Sequence, residues 1–157
     1  MLPLAASSLV HVLSNIALLV EKLRSVLGDR FQRYSTINER RAYVYIRKEG
    51  IRDCVRVLFD QFGARLSTIS AVDRNFKFDV LYHFTLDHES FVASVCLSTP
   101  KQAASLDSVT DILPAANWIE REIQELFGIK FVGHPSPGKL LTSDDWPEDE
   151  YPLRRIG

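Results

Sequence analysis

The sequence predicts an α+β fold: a mostly antiparallel sheet with helices on one face, in the order α-β-β-α-β-β-β-α, followed by an extended C-terminal arm. Residues 76–86 alternate apolar and polar side chains, which is typical of a half-buried strand. Three other segments carry apolar residues at helical spacing. Hairpin-length loops join most predicted strands, and this favours antiparallel pairing over a βαβ arrangement. The 157 residues therefore divide into an α+β domain over 1–128 and an arm over 129–157.

An amphipathic helix is predicted at the N-terminus. Met1 to Val20 carries no charged side chain, but it lacks the basic start of a signal peptide, and serines and an asparagine interrupt its apolar run. Its large apolar residues step by three or four, which places them on one helical face. They are Leu9, Leu13, Ile16, Val20, Leu23 and Leu27. Gly28 supplies the stop, and we expect this helix to pack on the domain rather than to span a membrane.

Two strands and a second helix come next. Phe31–Ile37 and Arg41–Arg47 contain β-branched and aromatic residues, and the polar residues 38–40 form the turn between them. Apolar residues then recur at helical spacing from Ile51 to Phe62, and Gly63 ends this helix.

Three further strands follow, over Ala64–Asp73, Phe76–Leu86 and Phe91–Leu97, with a hairpin turn at 87–90. In the middle strand the apolar side chains share one face. They are Phe76, Phe78, Val80, Tyr82, Phe84 and Leu86. A third helix is predicted over Ala115–Phe127, with Gly128 just after its end.

The last segment, residues 129–157, has neither a helical nor a strand period and contains four prolines. Large apolar side chains are spread through it, so disorder is a poor fit. Two alternatives remain: the arm lies on another subunit, with Trp146 and Tyr151 as anchors, or it packs on its own domain. The limited surface of so small a domain favours the first alternative.

Composition and motifs argue against several classes of function. The 19 basic and 20 acidic residues give a net charge of −1, which argues against nucleic acid or an anionic membrane surface as a partner. The sequence contains no glycine-rich phosphate loop, zinc-protease motif or nucleophile elbow. Cys54 and Cys96 are the only cysteines, and without a Cys/His cluster they are predicted to be buried core thiols. No metal site is predicted.

The third helix holds two charged pairs. Glu120 and Glu122 would lie about 200° apart around it, so they cannot act together as a catalytic carboxylate pair. Arg121 and Glu125 are spaced i,i+4, which predicts an ordinary helix ion pair.

The remaining polar candidates have structural as well as functional interpretations. His83 is predicted to be solvated or hydrogen-bonded within the strand, and His134, between a glycine and a proline, to hydrogen-bond in a turn rather than to bind metal. Arg154 and Arg155 follow an acidic run. They belong either to a solvated tail or to a surface that pairs with a partner's carboxylates.

The third helix and the arm resemble one known family, the thirty-kilodalton subunit of respiratory complex I, also called the C subunit of bacterial NADH–quinone oxidoreductase. The residues that carry the resemblance are Ser108-Val109-Thr110-Asp111, Ala116-Asn117-Trp118, Glu120-Arg121-Glu122, Leu126-Phe127-Gly128-Ile129, Gly133-His134-Pro135, Leu141-Thr142, Trp146 and Tyr151-Pro152-Leu153-Arg154-Arg155. The resemblance is dense over 108–155 and looser from about residue 51.

The resemblance implies a non-catalytic structural subunit whose arm docks on the forty-nine-kilodalton-type subunit and on the adjacent iron–sulfur subunit. This chain would bind no cofactor itself, while iron–sulfur clusters, flavin and NADH belong to partner subunits. It would be peripheral, on the cytoplasmic side of the cell membrane. The resemblance assigns partner docking to Glu120, Arg121, Glu122, Gly133, His134, Pro135, Trp146, Tyr151, Pro152, Leu153, Arg154 and Arg155.

Some positions depart from the family's usual pattern. Ile119 stands where a tyrosine is usual, and Lys139 takes the place of an arginine, which weakens bidentate pairing. The run 144–148 also resembles the related subunit of membrane-bound [NiFe] hydrogenases and formate hydrogenlyases, which is the alternative assignment, with a [NiFe] centre in a partner. A free-standing enzyme that uses Glu120 or His134 is a third hypothesis, which no motif in the sequence supports.

Overall fold

The computed structural model describes residues 4–87 and 90–155, with side chains described from residue 16 onward. Within these residues the long elements form in the predicted order: α1 (Leu4–Leu27), β1 (Phe31–Asn38), β2 (Arg41–Ile46), α2 (Ile51–Arg56), β3 (Arg65–Asp73), β4 (Lys77–Leu86), β5 (Phe91–Pro100) and α3 (Ala116–Phe127). A π-helical turn, Val57–Gln61, extends α2. The predicted turn at 87–90 includes residues 88–89, which lie outside the described residues.

The five long strands form one sheet in the order β1-β2-β5-β4-β3. All neighbours are antiparallel except β2 and β5, which are parallel. After α2 the chain enters the sheet at its far edge with β3 and returns through β4 to the centre. The mostly antiparallel α+β fold is therefore confirmed, and the central parallel pair is an addition to the prediction.

One face of the sheet is buried and the other is half-exposed. In β4, Phe78, Val80, Tyr82 and Phe84 are fully buried, and the residues between them are partly exposed, as the alternation predicts. The prediction for Phe76 is wrong. It precedes β4 and is 80% exposed, because it lies within the turn that the bond from the Arg74 N–H to the Lys77 carbonyl closes.

The α1 helix packs against α2 and β1. Ile16, Val20, Leu23 and Leu27 are buried, which confirms the predicted apolar face from residue 16 onward. Leu9 and Leu13 lie outside the described side chains. In the part of the chain that the structure describes, no helix combines the length and apolarity needed to span a bilayer.

Two short strands that the sequence did not predict connect the domain to the beginning of the arm. β6 (Ser105–Asp107) and β7 (Lys130–Val132) pair in parallel, and the Ser108 N–H donates to the Val132 carbonyl. Ile129 and Phe131, from the predicted arm, are buried in the core. This pairing fixes the direction in which the chain leaves α3.

Candidate docking surface

The α3 helix turns one face to the core and the other to the arm. Ala116, Glu120, Ile123 and Phe127 are buried and recur at helical spacing. The helix ends at Gly128, which has φ +68° in the left-handed region, and the Gly128 N–H donates to the Gln124 carbonyl. The predicted stop at Gly128 is confirmed.

Glu120 is fully buried, so it does not lie on a surface open to a partner. Its carboxylate accepts hydrogen bonds from the Ser108 hydroxyl at 2.6 Å and the Val109 N–H at 2.9 Å. Burial raises the pKa of the Glu120 carboxyl to about 7, although both hydrogen bonds oppose the increase. Glu120 therefore holds the 108–110 segment against α3.

Arg121 and Glu125 bond to the arm and not to each other, so the predicted ion pair is wrong. The Arg121 guanidinium donates to the carbonyls of Gly138 at 3.1 Å and Lys139 at 2.6 Å. The Glu125 carboxylate accepts the N–H groups of residues 140, 141 and 142 and the Thr142 hydroxyl. Both side chains bond to backbone groups of the arm in place of each other. These backbone groups carry no signal in the sequence.

The bonds at Glu125 also change its acidity. Burial would raise the pKa of the Glu125 carboxyl, but the hydrogen bonds from Thr142 and the preceding N–H groups lower it to about 2. The ionised carboxylate thus holds the first part of the arm, because charge-assisted hydrogen bonds are stronger than neutral ones.

His134 joins the beginning of the arm to α3. Its Nε2 lies 3.1 Å from the Asn117 carbonyl oxygen, and the Ser136 N–H donates to Nδ1 at 3.1 Å. These partners require a neutral ring protonated on Nε2. The predicted hydrogen-bonding role in a turn is confirmed, with Gly133 at φ +82° and Pro135 exposed.

The end of the arm attaches to the C-terminus of α3. The Leu153 N–H donates to the Leu126 carbonyl at 3.0 Å, and the Arg154 guanidinium donates to the Phe127 carbonyl at 2.7 Å. The same guanidinium lies 4.4 Å from the centre of the Tyr151 ring, which packs on Gly128. These contacts satisfy carbonyl groups that a helix end leaves free.

Arg155 helps to attach the end of the arm through its backbone. Its N–H donates to the Asp73 carboxylate at 2.8 Å, and Asp73 also pairs with Lys101. The Arg155 side chain is exposed, as are Pro152 and Glu122. The contacts of Tyr151 and Arg154 therefore support the alternative in which the arm packs on its own domain. Glu122, Pro152 and Arg155 stay accessible to a partner.

Between its two attachments the arm forms an arch over residues 143–150. The Lys139 ammonium donates to the carbonyls of Ser143, Asp144 and Trp146, and the Trp146 indole N–H donates to the Glu150 carbonyl at 2.9 Å. The arch, α3 and β7 enclose an open cavity of about 810 Å³.

Hydrogen bonds hold the arm to α3, and four large apolar side chains of α3 and the arm stay exposed. Trp118 is 67% exposed, Leu141 58%, Leu153 51% and Trp146 37%. We call these four residues, together with Glu122, the α3–arm surface. The exposure of Trp118 was missed at the sequence level, although it lies off the helical stripe formed by residues 116, 120, 123 and 127, and this spacing could have revealed it.

The remaining candidates have structural roles. Cys54 and Cys96 are buried, and burial raises the pKa of both thiols, as expected for core cysteines. His83 lies between the hydroxyls of Ser70 at 3.2 Å and Ser94 at 2.8 Å, which confirms the prediction of a hydrogen-bonded histidine. Across residues 16–87 and 90–155, no three His, Cys, Asp or Glu side chains come together as a possible metal site.

Comparison with known proteins identifies the family of this chain. The family model of the respiratory-chain NADH dehydrogenase 30 kDa subunit matches residues 44–156, which include β3, β4, β5, α3 and nearly all of the arm. The chain belongs to this family. This thirty-kilodalton-type subunit is 37% identical over 118 residues to the C subunit of NADH-quinone oxidoreductase from Rhodobacter capsulatus, covering 71% of this chain and 58% of that protein. The corresponding protein of Roseiflexus sp. (strain RS-1) is 32% identical over 149 residues, covering 88% and 82%.

Solved structures share the fold of this thirty-kilodalton-type subunit. A chain of the membrane-bound sulfane sulfur reductase, an archaeal respiratory membrane complex, superposes with a TM-score of 0.77 at 25% identity, covering 90% of this chain and 82% of that one. A trypsin-resistant fragment of Nqo5 superposes with a TM-score of 0.65 at 23% identity, covering 77% and 98%. The chain spans 58% and 53% of the related C subunits of R. capsulatus and Ruegeria pomeroyi, so it matches about half the length of these curated relatives.

Proposed function

We propose that this chain is a non-catalytic structural subunit of a complex I-type NADH–quinone oxidoreductase, and that its α3–arm surface docks on the forty-nine-kilodalton-type subunit beside the adjacent iron–sulfur subunit. One observation carries the proposal. Polar side chains of α3 fix the backbone of the arm, and Trp118, Leu141 and Leu153 are exposed on this preorganised support. Preorganised aromatic and apolar anchors are typical of protein interfaces.

In this proposal the chain binds no cofactor of its own. Iron–sulfur clusters, flavin and NADH belong to partner subunits, and this subunit orders the partner on the cytoplasmic side of the membrane. Two of the groups considered for chemistry, Glu120 and His134, are buried and bonded to the protein's own backbone. Support for the family assignment comes from the match over residues 44–156.

A second candidate is the equivalent subunit of another membrane-bound respiratory complex, such as an energy-converting [NiFe] hydrogenase. The observation that favours it is the TM-score of 0.77 with a chain of the archaeal sulfane sulfur reductase complex. The two candidates share the docking role and differ in the partner that would be recovered.

Affinity purification of the tagged full chain from native membranes, followed by mass spectrometry, tests the proposal. We expect a forty-nine-kilodalton-type subunit together with flavin- and NADH-binding subunits. Recovery of a partner from another membrane-bound respiratory complex, such as one with nickel-ligand CxxC pairs, would establish the second candidate instead. Recovery of neither partner would contradict the docking role.

Trp118→Ala is the sharpest variant for this experiment. Loss of a central aromatic anchor is expected to reduce partner recovery by about tenfold or more. Phe59→Ala is the matched control, because Phe59 is also an exposed aromatic residue, at 46%, but lies in the turn after α2. The thermal midpoints of both variants should stay near that of the parent chain. Equal recovery with both variants would contradict a docking site at Trp118.

A further inference from the structure

The cavity under the arch is open to solvent and has a fixed frame. The arm is attached to α3 on one side through Arg121 and Glu125 and on the other through Arg154. Lys139 and Trp146 hold the arch itself. The volume of about 810 Å³ lies within the range of ligand-binding clefts, so the frame leaves room for a segment of another molecule.

Some of the charged side chains around this cavity are bonded to the protein, and others have no ion-pair partner. Arg121 and Lys139 already donate to backbone carbonyls, and Glu125 accepts four hydrogen bonds from the arm. Glu148 and Glu150 also line the cavity, and neither carboxylate has an ion-pair partner among residues 16–87 and 90–155.

The arch as a whole is negatively charged. Residues 143–150 contain five carboxylates and no basic side chain. Among the side chains that the structure describes, Lys130 is the one lining cation whose ammonium makes no hydrogen bond or ion pair, and it lies on β7 and not on the arch. The arch side of the cavity is therefore complementary to a cation.

Aromatic side chains add a second element of recognition. Trp146 and Tyr151 line the cavity next to Glu148 and Glu150, and the bond from the indole N–H to the Glu150 carbonyl orients Trp146. A guanidinium group stacks on an aromatic ring and pairs with a carboxylate at the same time, whereas an ammonium group has no planar surface to stack.

We propose that the cavity under the arch binds an arginine-bearing, extended segment of a partner subunit, with the guanidinium between Trp146 and the carboxylates of Glu148 and Glu150. The biological identity of that segment rests on the proposed docking function. The affinity of the cavity for arginine does not, and it can be measured on the isolated full chain.

The test uses three capped tripeptides, Gly-Arg-Gly, Gly-Lys-Gly and Gly-citrulline-Gly, added to the ¹⁵N-labelled full chain. Citrulline has the shape of arginine without its charge. We expect the Trp146 indole N–H resonance to shift with the arginine peptide at millimolar concentrations, as is usual for a contact made by a single side chain. The lysine peptide should bind more weakly, and the citrulline peptide should leave the resonance unchanged.

Matched variants separate a local site from general charge. Glu148→Gln combined with Glu150→Gln should weaken arginine binding at least about tenfold. Asp149→Asn is the control, because Asp149 lies in the same arch but does not line the cavity, and it should change binding less than twofold. Equal weakening by the double substitution and by the control, equal binding of citrulline, or an unshifted indole resonance would overturn the proposal. Normal partner recovery in the purification experiment would then leave the docking function standing.

Discussion

The Tyr151 ring lies so close to Gly128 that a β-carbon on residue 128 would come within 2.6 Å of the Tyr151 Cζ atom. Gly128 ends α3, and Tyr151 begins the second attachment of the arm, so this contact closes a loop of more than twenty residues. Only glycine permits both the left-handed backbone at φ +68° and the close approach of the ring.

Gly128→Ala is therefore expected to destabilise the protein and to release the end of the arm. Gly63→Ala is the control, since Gly63 has φ +58° with nothing within 4 Å of an added β-carbon. The left-handed backbone alone should cost about 1 kcal/mol in Gly63→Ala, and the clash should add about 1–3 kcal/mol in Gly128→Ala. Urea unfolding measures both values, and limited proteolysis within residues 143–155 should accelerate in Gly128→Ala alone. Equal destabilisation would show that the Tyr151 contact has little energetic importance.

Arg154 and Arg155 are neighbours that attach the arm in different ways. The Arg154 guanidinium donates to the Phe127 carbonyl, whereas Arg155 uses its backbone N–H. Arg154→Ala should therefore reduce hydrogen-exchange protection of the Leu153 amide about tenfold or more, because a charged donor to a helix end is removed. Arg155→Ala keeps its backbone bond and should leave this protection unchanged. A similar loss in both variants would contradict the distinct role given to Arg154.

The ionised Glu125 carboxylate should make the first attachment of the arm sensitive to acid. Since hydrogen bonds lower its folded-state pKa to about 2, its stabilising contribution is complete above the ordinary value of about 4.3 and is lost as the pH falls toward 2. The Thr142 amide chemical shift should therefore titrate near pH 2. Glu125→Gln should abolish that titration, and Glu122→Gln, at an exposed position on the same helix, should preserve it. A midpoint near 4.3 would contradict the hydrogen-bonded arrangement.

Periodicity is most informative for the long elements that bury one regular face, such as β4. The apolar face of α1 from residue 16 onward and the alternation of β4 follow from side-chain spacing alone, and Gly128 ends α3 where its stop signal lies. The prediction that Phe76 belongs to the buried face is wrong because a turn precedes the strand. The parallel pairing of β2 with β5 depends on the path of the whole chain, which no local pattern contains.

The candidate surface was less accessible to sequence reasoning. The resemblance identified α3 and the arm, but it could not separate residues that hold the arm, such as Arg121, from residues that stay exposed, such as Trp118. That distinction arises from hydrogen bonds between side chains of α3 and backbone groups up to 18 positions away. Backbone donors and acceptors are the same for nearly every residue type, so these bonds leave no pattern in the sequence.

The buried Glu120 should give the fold a second, opposite dependence on pH. Burial raises its folded-state pKa to about 7, above the unfolded value of about 4.3. The folded state therefore binds the proton more tightly, and the resulting stabilisation is complete below about pH 4 and is lost as the pH rises through about 7. Glu120→Gln keeps a neutral side chain of the same size, so its stability relative to the parent chain should improve between pH 5 and pH 8 by at most about 3 kcal/mol. Urea unfolding of both proteins at the two pH values measures this difference, and Glu122→Gln serves as the exposed control. A difference between parent and Glu120→Gln that stays constant with pH would show that Glu120 is ionised throughout this range, held by Ser108 and Val109.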